Sequence, residues 1–168
     1  DEFFQNNSLG PMQISMFKRF LSDAQLAEKN KVTELMLLTK RIGWESDSAW
    51  GLILIQLVYG NPQIRWYIDN MPVNERMPRT YLEDLLTETG LSEKDAKSIT
   101  KAFGRLCDLP LGTALNFGAV EKKGRQITSL TRYKASLRDD RVILYALYRF
   151  AEACDGYYQF TLSRLLDE

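Results

Sequence analysis

The chain has 168 residues, 22 lysines and arginines against 22 aspartates and glutamates, 45% hydrophobic residues and no histidine. This describes one ordinary domain, long enough to close a core without disulfides or metal. Without histidine, Ser-His-Asp and Cys-His catalysis, histidine-ligated zinc or haem and an imidazole pH switch are excluded.

Cys107 and Cys154 are too few and too far apart for a CxxC redox centre or a four-cysteine zinc site. They read as reduced, buried thiols of a cytoplasmic protein. The longest apolar stretch, Ala49 to Tyr59, is interrupted by Gln56 and is about half the length of a membrane span. Asp1-Glu2 carries the wrong charge for a signal peptide. With no initiator Met and an ending in mid-pattern at Leu165-Leu166-Asp167-Glu168, the expectation is a portion of a larger protein.

In chain order, residues 1–11 read as a loop, with Pro11 suited to a first helical turn. Met16, Phe17, Phe20, Leu21 and Ala24 recur at helical spacing and predict a helix from Met12 to about Glu28. A second helix is predicted from about Lys31 to Ile42, ended by Gly43. Asp47 or Ser46 caps a third, Ser48 to Tyr59, hydrophobic nearly all round and therefore buried. After Gly60-Asn61-Pro62, Ile64 to Asn70 alternates like a short strand, although a helical turn fits as well. Met71 to Pro78 reads as a polar loop.

Two capping boxes follow, Thr80 to Glu83 and Ser92 to Asp95, opening helices at Tyr81 to Thr89 and Glu93 to Leu106 around a Gly90-Leu91 turn. The β-formers of Thr113 to Val120 and Gln126 to Arg132, joined by Glu121 to Gly124, predict a hairpin with a basic tip. A long helix, Asp139 to Cys154, carries a wide apolar face of Val142, Ile143, Ala146, Leu147, Phe150 and Ala151. Asp155-Gly156 stops it, and Tyr157 to Leu166 begins a short helix or strand.

The expected fold is thus mainly α with a small β-hairpin. Its centre reads helix, short strand, helix, turn, helix, strand, basic turn, strand, the connectivity of a winged helix, in which the third helix enters the DNA major groove. The expected organisation is an N-terminal helical arm (1–43), a winged-helix-like domain (44–135) and C-terminal helices packed on the core (136–168). Ala96, Ile99, Ala102, Phe103 and Leu106 give the third helix an apolar face, and Lys94, Lys97, Lys101 and Arg105 form a basic stripe on another. Residues 92–134 hold nine basic against four acidic side chains, an excess of five positive charges in a neutral chain. Lys97, Lys101 and Arg105 suit guanine edges, Ser98 and Thr100 can add contacts, and Lys122, Lys123 and Arg125 at the hairpin tip suit phosphates.

The same pattern also describes a solvated face on a protein-docking or dimerisation module, and a pI near 6.6 weighs against a strong stand-alone DNA binder. Other features have plain structural readings. Asp139-Asp140 and Glu45/Asp47 suit helix capping, and no phosphate-binding glycine motif occurs. The cluster Tyr145, Tyr148, Phe150, Tyr157, Tyr158 and Phe160 reads as packing rather than base stacking, and Trp44, Trp50 and Trp66 read as core anchors.

Three phrases carry a resemblance: Trp50-Gly-Leu-Ile-Leu with Asn61-Pro-Gln and Trp66-Tyr; Pro110-Leu-Gly-Thr-Ala-Leu-Asn-Phe-Gly; and Ile143-Leu-Tyr-Ala-Leu-Tyr-Arg-Phe-Ala-Glu with Gly156-Tyr-Tyr-Gln-Phe-Thr-Leu. Together they resemble the C-terminal region of large bacterial phosphoadenosine phosphosulfate reductase-like proteins. That family handles its nucleotide with a Ser-Gly-Gly-x-Asp-Ser loop, and no such loop occurs in this sequence. The resemblance therefore implies a non-catalytic accessory domain that partners the rest of a larger parent protein; double-stranded DNA is the partner expected from the basic stripe and hairpin tip. No metal, cofactor or membrane enters the expectation, and no catalytic residue carries over.

Overall fold

A long helix that is apolar on every side must be surrounded, and the architecture follows from that requirement. In the computed structural model, which describes residues 9–29 and 31–154, α1 (Pro11–Asp23) leads into a two-stranded ribbon of β1 (Ala27–Glu28) and β2 (Lys31–Val32). Then come α2 (Glu34–Ile42), α3 (Asp47–Gly60), α4 (Pro62–Asn70), β3 (Arg76–Pro78), α5 (Arg79–Glu88), α6 (Glu93–Asp108) and α7 (Pro110–Ala114). The hairpin β4 (Gly118–Lys123) and β5 (Gln126–Arg132) precedes α8 (Asp140–Ala153). The described residues are mainly helical, with two small antiparallel sheets.

The central helix is α3. Residues 51–57 are all buried, and α1, α2, α4, α7 and α8 pack around it. The Ser46 hydroxyl accepts from Ser48 N–H, so Ser46 rather than Asp47 is the N-cap. A Cβ on Gly51 would lie 2.8 Å from Leu137 Cδ2 and 2.9 Å from Val142 Cγ1. The absence of a side chain there lets α8 cross α3 closely. Ala24 and Leu26 from the N-terminal arm join Ile53, Tyr67, Phe103, Phe117 and Leu130 in one core.

Several expectations are corrected. The first helix stops at Asp23, not near Glu28: Gln25 and Lys29 take positive φ values of 52° and 48°, turning the chain into the ribbon. The second starts at Glu34, because Thr33 is its cap, accepting from Met36 N–H at 3.3 Å and donating to the Gln25 carbonyl at 2.6 Å. Residues 64–70 are helical rather than a strand: the Asn61 side chain accepts from Gln63 and Ile64 N–H and Pro62 occupies the first turn, while Tyr67 faces the core. Within the supposed polar loop, Met71 is buried and Arg76–Pro78 is a strand, with Met77 opposite Leu130 and Pro78 opposite Ser129.

The box at Thr80 does not form, since α5 begins at Arg79, two residues before the expected Tyr81, and Glu83 accepts instead from Arg79 Nε at 2.5 Å. At Ser92 only half of the box forms: the hydroxyl caps the helix by accepting from Asp95 N–H, but it also donates to the Asp95 carboxylate, which therefore pairs with the hydroxyl and not with the Ser92 backbone N–H. The first hairpin strand starts at Gly118 rather than Thr113, because Pro110–Ala114 turns as α7 with Leu111 and Gly112 buried. The hairpin turn is correspondingly later, with Lys123 pairing with Gln126 across Gly124 (φ 62°) and Arg125. In the three-stranded sheet the strand order is β3-β5-β4.

Asp139 caps α8, accepting from Arg141 N–H and from the Ser48 hydroxyl, and these contacts hold its carboxyl well below the usual range, the Arg141 side chain foremost. The buried face of α8 is narrower than expected, with Val142 and Ala151 buried and Ile143 exposed. Cys107 is buried but Cys154 is exposed, which corrects the reading of both as buried. Trp44 is likewise exposed; its carbonyl accepts from Trp50 Nε1. The predicted element at Tyr157 to Leu166 and the aromatics Tyr157, Tyr158 and Phe160 lie outside the described residues.

Candidate nucleic-acid interface

Helix α6 has two unlike faces. Ala96, Ile99, Thr100, Phe103, Gly104 and Cys107 are buried, whereas Lys94, Lys97, Ser98, Lys101 and Arg105 are exposed. The buried face is rotated from the expected one: Ala102 is outside, and Thr100 is fully buried and takes no part in any surface contact. The rotation is set by Phe103, whose ring stacks against Trp66 at 6.0 Å and 3° and meets Tyr67 at 4.6 Å. Tyr67 in turn approaches Cys107 Sγ at 4.0 Å, and burial pushes both the phenol and the thiol above their ordinary values.

The hairpin leans on α6 at Gly104. A Cβ at that position would come within 2.4 Å of Ile127 Cδ1, so the bare backbone provides the seat for β5. This seating sets the hairpin tip beside the outer edge of α6, bringing residues far apart in sequence onto one surface.

The predicted cations separate into two groups. Lys97 Nζ lies 3.3 Å from Glu93, and Lys122 Nζ lies 2.6 Å from Asp108, so both are paired within the protein. Among the described residues, Lys94, Lys101, Arg105, Lys123 and Arg125 have no ion-pair partner and are exposed. Arg132 leaves the surface field: it is partly buried and donates from Nε to the Met71 carbonyl at 2.6 Å. Glu121, at the hairpin, accepts from Arg76 Nε and Nη2 and from the Ser129 hydroxyl, which together lower its carboxyl from 4.5 to about 2, the Arg76 hydrogen bond being the largest cause.

Sequence reasoning missed Arg79. With Lys101, Arg125, Gln126 and Ile127, it lines a depression of about 190 Å³ where α5, α6 and the hairpin tip meet. Its neighbours are remote in sequence, and the pairing of Pro78 with Ser129 is what carries it there. A strand of only three residues that runs directly into a helix gives little periodicity from which to expect this.

No protein-family model, curated protein or solved structure matches the chain. Among the described residues, no helix is long and apolar enough to cross a membrane, and no cluster of three or more acidic or cysteine side chains is arranged to hold a metal.

Proposed function

We propose that this chain is an accessory nucleic-acid-binding domain of winged-helix type, non-catalytic by itself, within a larger bacterial phosphoadenosine phosphosulfate reductase-like protein. The carrying observation is the exposed row Lys94, Lys101 and Arg105 on α6, unpaired among the described residues, of which Lys101 shares one depression with Arg125 of the hairpin tip, where Lys123 is also exposed and unpaired. Cations without internal partners are available to release counterions from a phosphate backbone. The succession α4, β3, α5, α6, β4, β5, interrupted by the short α7 between α6 and β4, and the sheet order β3-β5-β4 support the winged-helix reading. In that reading α6 enters the groove and the hairpin tip tracks the backbone. The parent protein is proposed on the likeness of the three sequence phrases quoted above.

Fluorescence anisotropy against a labelled random duplex tests the proposal. Four to five phosphate contacts correspond to a slope of about −3.6 to −4.5 in log K against log salt, or a loss of roughly 150- to 500-fold between about 50 and 200 mM. Replacing Lys101 and Arg105 by Glu is expected to abolish binding with the urea midpoint unchanged. Absence of binding by the wild-type chain at about 50 mM salt would overturn the assignment.

A second reading, a docking or dimerisation module, is favoured by a different observation. No residue of α1 is buried, and Met12 and Met16 are 77% and 67% exposed. Concentration-dependent, salt-insensitive association in sedimentation would support that reading over the first.

A further inference from the structure

We infer that the depression between α5, α6 and the hairpin tip is a phosphate seat, in which Arg79, Lys101, Arg125 and Gln126 hold one phosphodiester of the duplex backbone. The inference deepens the nucleic-acid reading and rests on it for the source of the phosphate.

Three side chains of the same sign line a space of about 190 Å³, large enough for one phosphate with water. Arg79 comes from the start of α5, Lys101 from the outer face of α6, and Arg125 from the turn between β4 and β5. Their meeting is built into the fold, through Pro78 pairing with Ser129 and Ile127 seated on Gly104. Like charges brought together this way repel one another unless a counter-charge enters.

Glu83, the carboxylate paired with Arg79, does not supply it. Glu83 accepts from Arg79 through Nε alone, at 2.5 Å, leaving both terminal amines of the guanidinium without an acceptor among the described residues. Glu83 is thereby a positioning residue: its side chain is 14% exposed and fixes the plane of the guanidinium. Lys101 and Arg125 have no carboxylate partner among the described residues. Two guanidinium groups with spare donors favour a phosphate, whose oxygens accept several N–H bonds at once. Gln126 adds an uncharged amide to the same lining, and Ile127 contributes an apolar wall.

The test uses the chain as it stands, with Arg79→Gln and Arg125→Gln variants. Among the described residues Arg125 has no side-chain partner, so R125Q still tests the seat should loss of the Glu83 contact unfold R79Q. Each variant is expected to weaken duplex binding by roughly three- to tenfold at about 100 mM salt and to reduce the slope of log K against log salt by about 0.9. Steep wild-type binding with the variants unchanged would overturn the phosphate seat and leave the nucleic-acid reading standing.

If the wild type fails to bind duplex, the nucleic-acid reading falls, and inorganic phosphate decides the seat. Chemical-shift changes confined to the Arg79 and Arg125 Nε–H and Gln126 amide signals would then support a seat for free phosphate. No change at those signals would overturn it.

Discussion

Replacing Gly104 by alanine probes how the hairpin is seated on α6. The new Cβ would lie 2.4 Å from Ile127 Cδ1, but 3.5 Å from Ile127 Cγ1 and 3.6 Å from Val120 Cγ1, so only the terminal methyl of Ile127 is in conflict. Alanine in a helix interior gains about 0.5–1 kcal/mol over glycine, while forcing a carbon into a packed contact costs about 1–3 kcal/mol. Because the obstructing atom is the movable end of a side chain, the net expectation is destabilisation by about 0.5–1.5 kcal/mol. Ile127→Val removes that methyl at its own cost of about 0.5–1.5 kcal/mol. In the I127V background, Gly104→Ala meets only ordinary contacts and should stabilise by about 0.5 kcal/mol. The reversal of sign corresponds to a coupling of about 1–2 kcal/mol, within the range for touching residues. Urea unfolding of the four proteins at 25 °C, read as midpoint shifts at constant slope, measures it. An equal effect of G104A in both backgrounds would refute the view that this one contact sets the position of the hairpin.

Three further outcomes are expected. Lys101→Ala should weaken duplex binding several-fold more than Lys97→Ala, because Lys97 is already paired with Glu93; equal losses in anisotropy would contradict this. Glu121 is held near pH 2 by Arg76 and Ser129, so its contribution is complete above about pH 4.5 and disappears as the pH falls toward 2. The stability advantage of wild type over Glu121→Gln, followed by urea midpoints, should therefore shrink over that interval, and a constant difference would rule the linkage out. A thiol-reactive chromophore should label exposed Cys154 promptly and buried Cys107 only on unfolding, since burial both shields that sulfur and disfavours its thiolate; two fast thiols would contradict the placement.

Much of the local structure is legible from the chain because it depends on near neighbours. The all-round apolarity of residues 51–57 demands a surrounded helix, and the serine at position 92 opens α6 through contacts made within four residues. The basic stripe follows from helical spacing, and Lys94, Lys101 and Arg105 are exposed as that spacing requires. Where two local signals competed, the stronger cap prevailed: Asn61 and Pro62 commit residues 62–70 to helix despite their strand-like alternation.

Tertiary structure alone decided what depends on residues distant in sequence. Strand β3 exists because β5 supplies its hydrogen-bonding partner, and three residues without that partner have no reason to be extended. The rotation of α6 that hides Thr100 and exposes Ala102 is set by Phe103 against Trp66 and Tyr67, a packing preference that apolar periodicity does not encode. Which lysines are neutralised is likewise a matter of geometry, since Lys122 reaches Asp108 only when the hairpin lies along α6. The meeting of Arg79 with Lys101 and Arg125 has the same origin: charge and spacing are written along the chain, but convergence is produced by strand pairing and by a glycine that lets two elements touch.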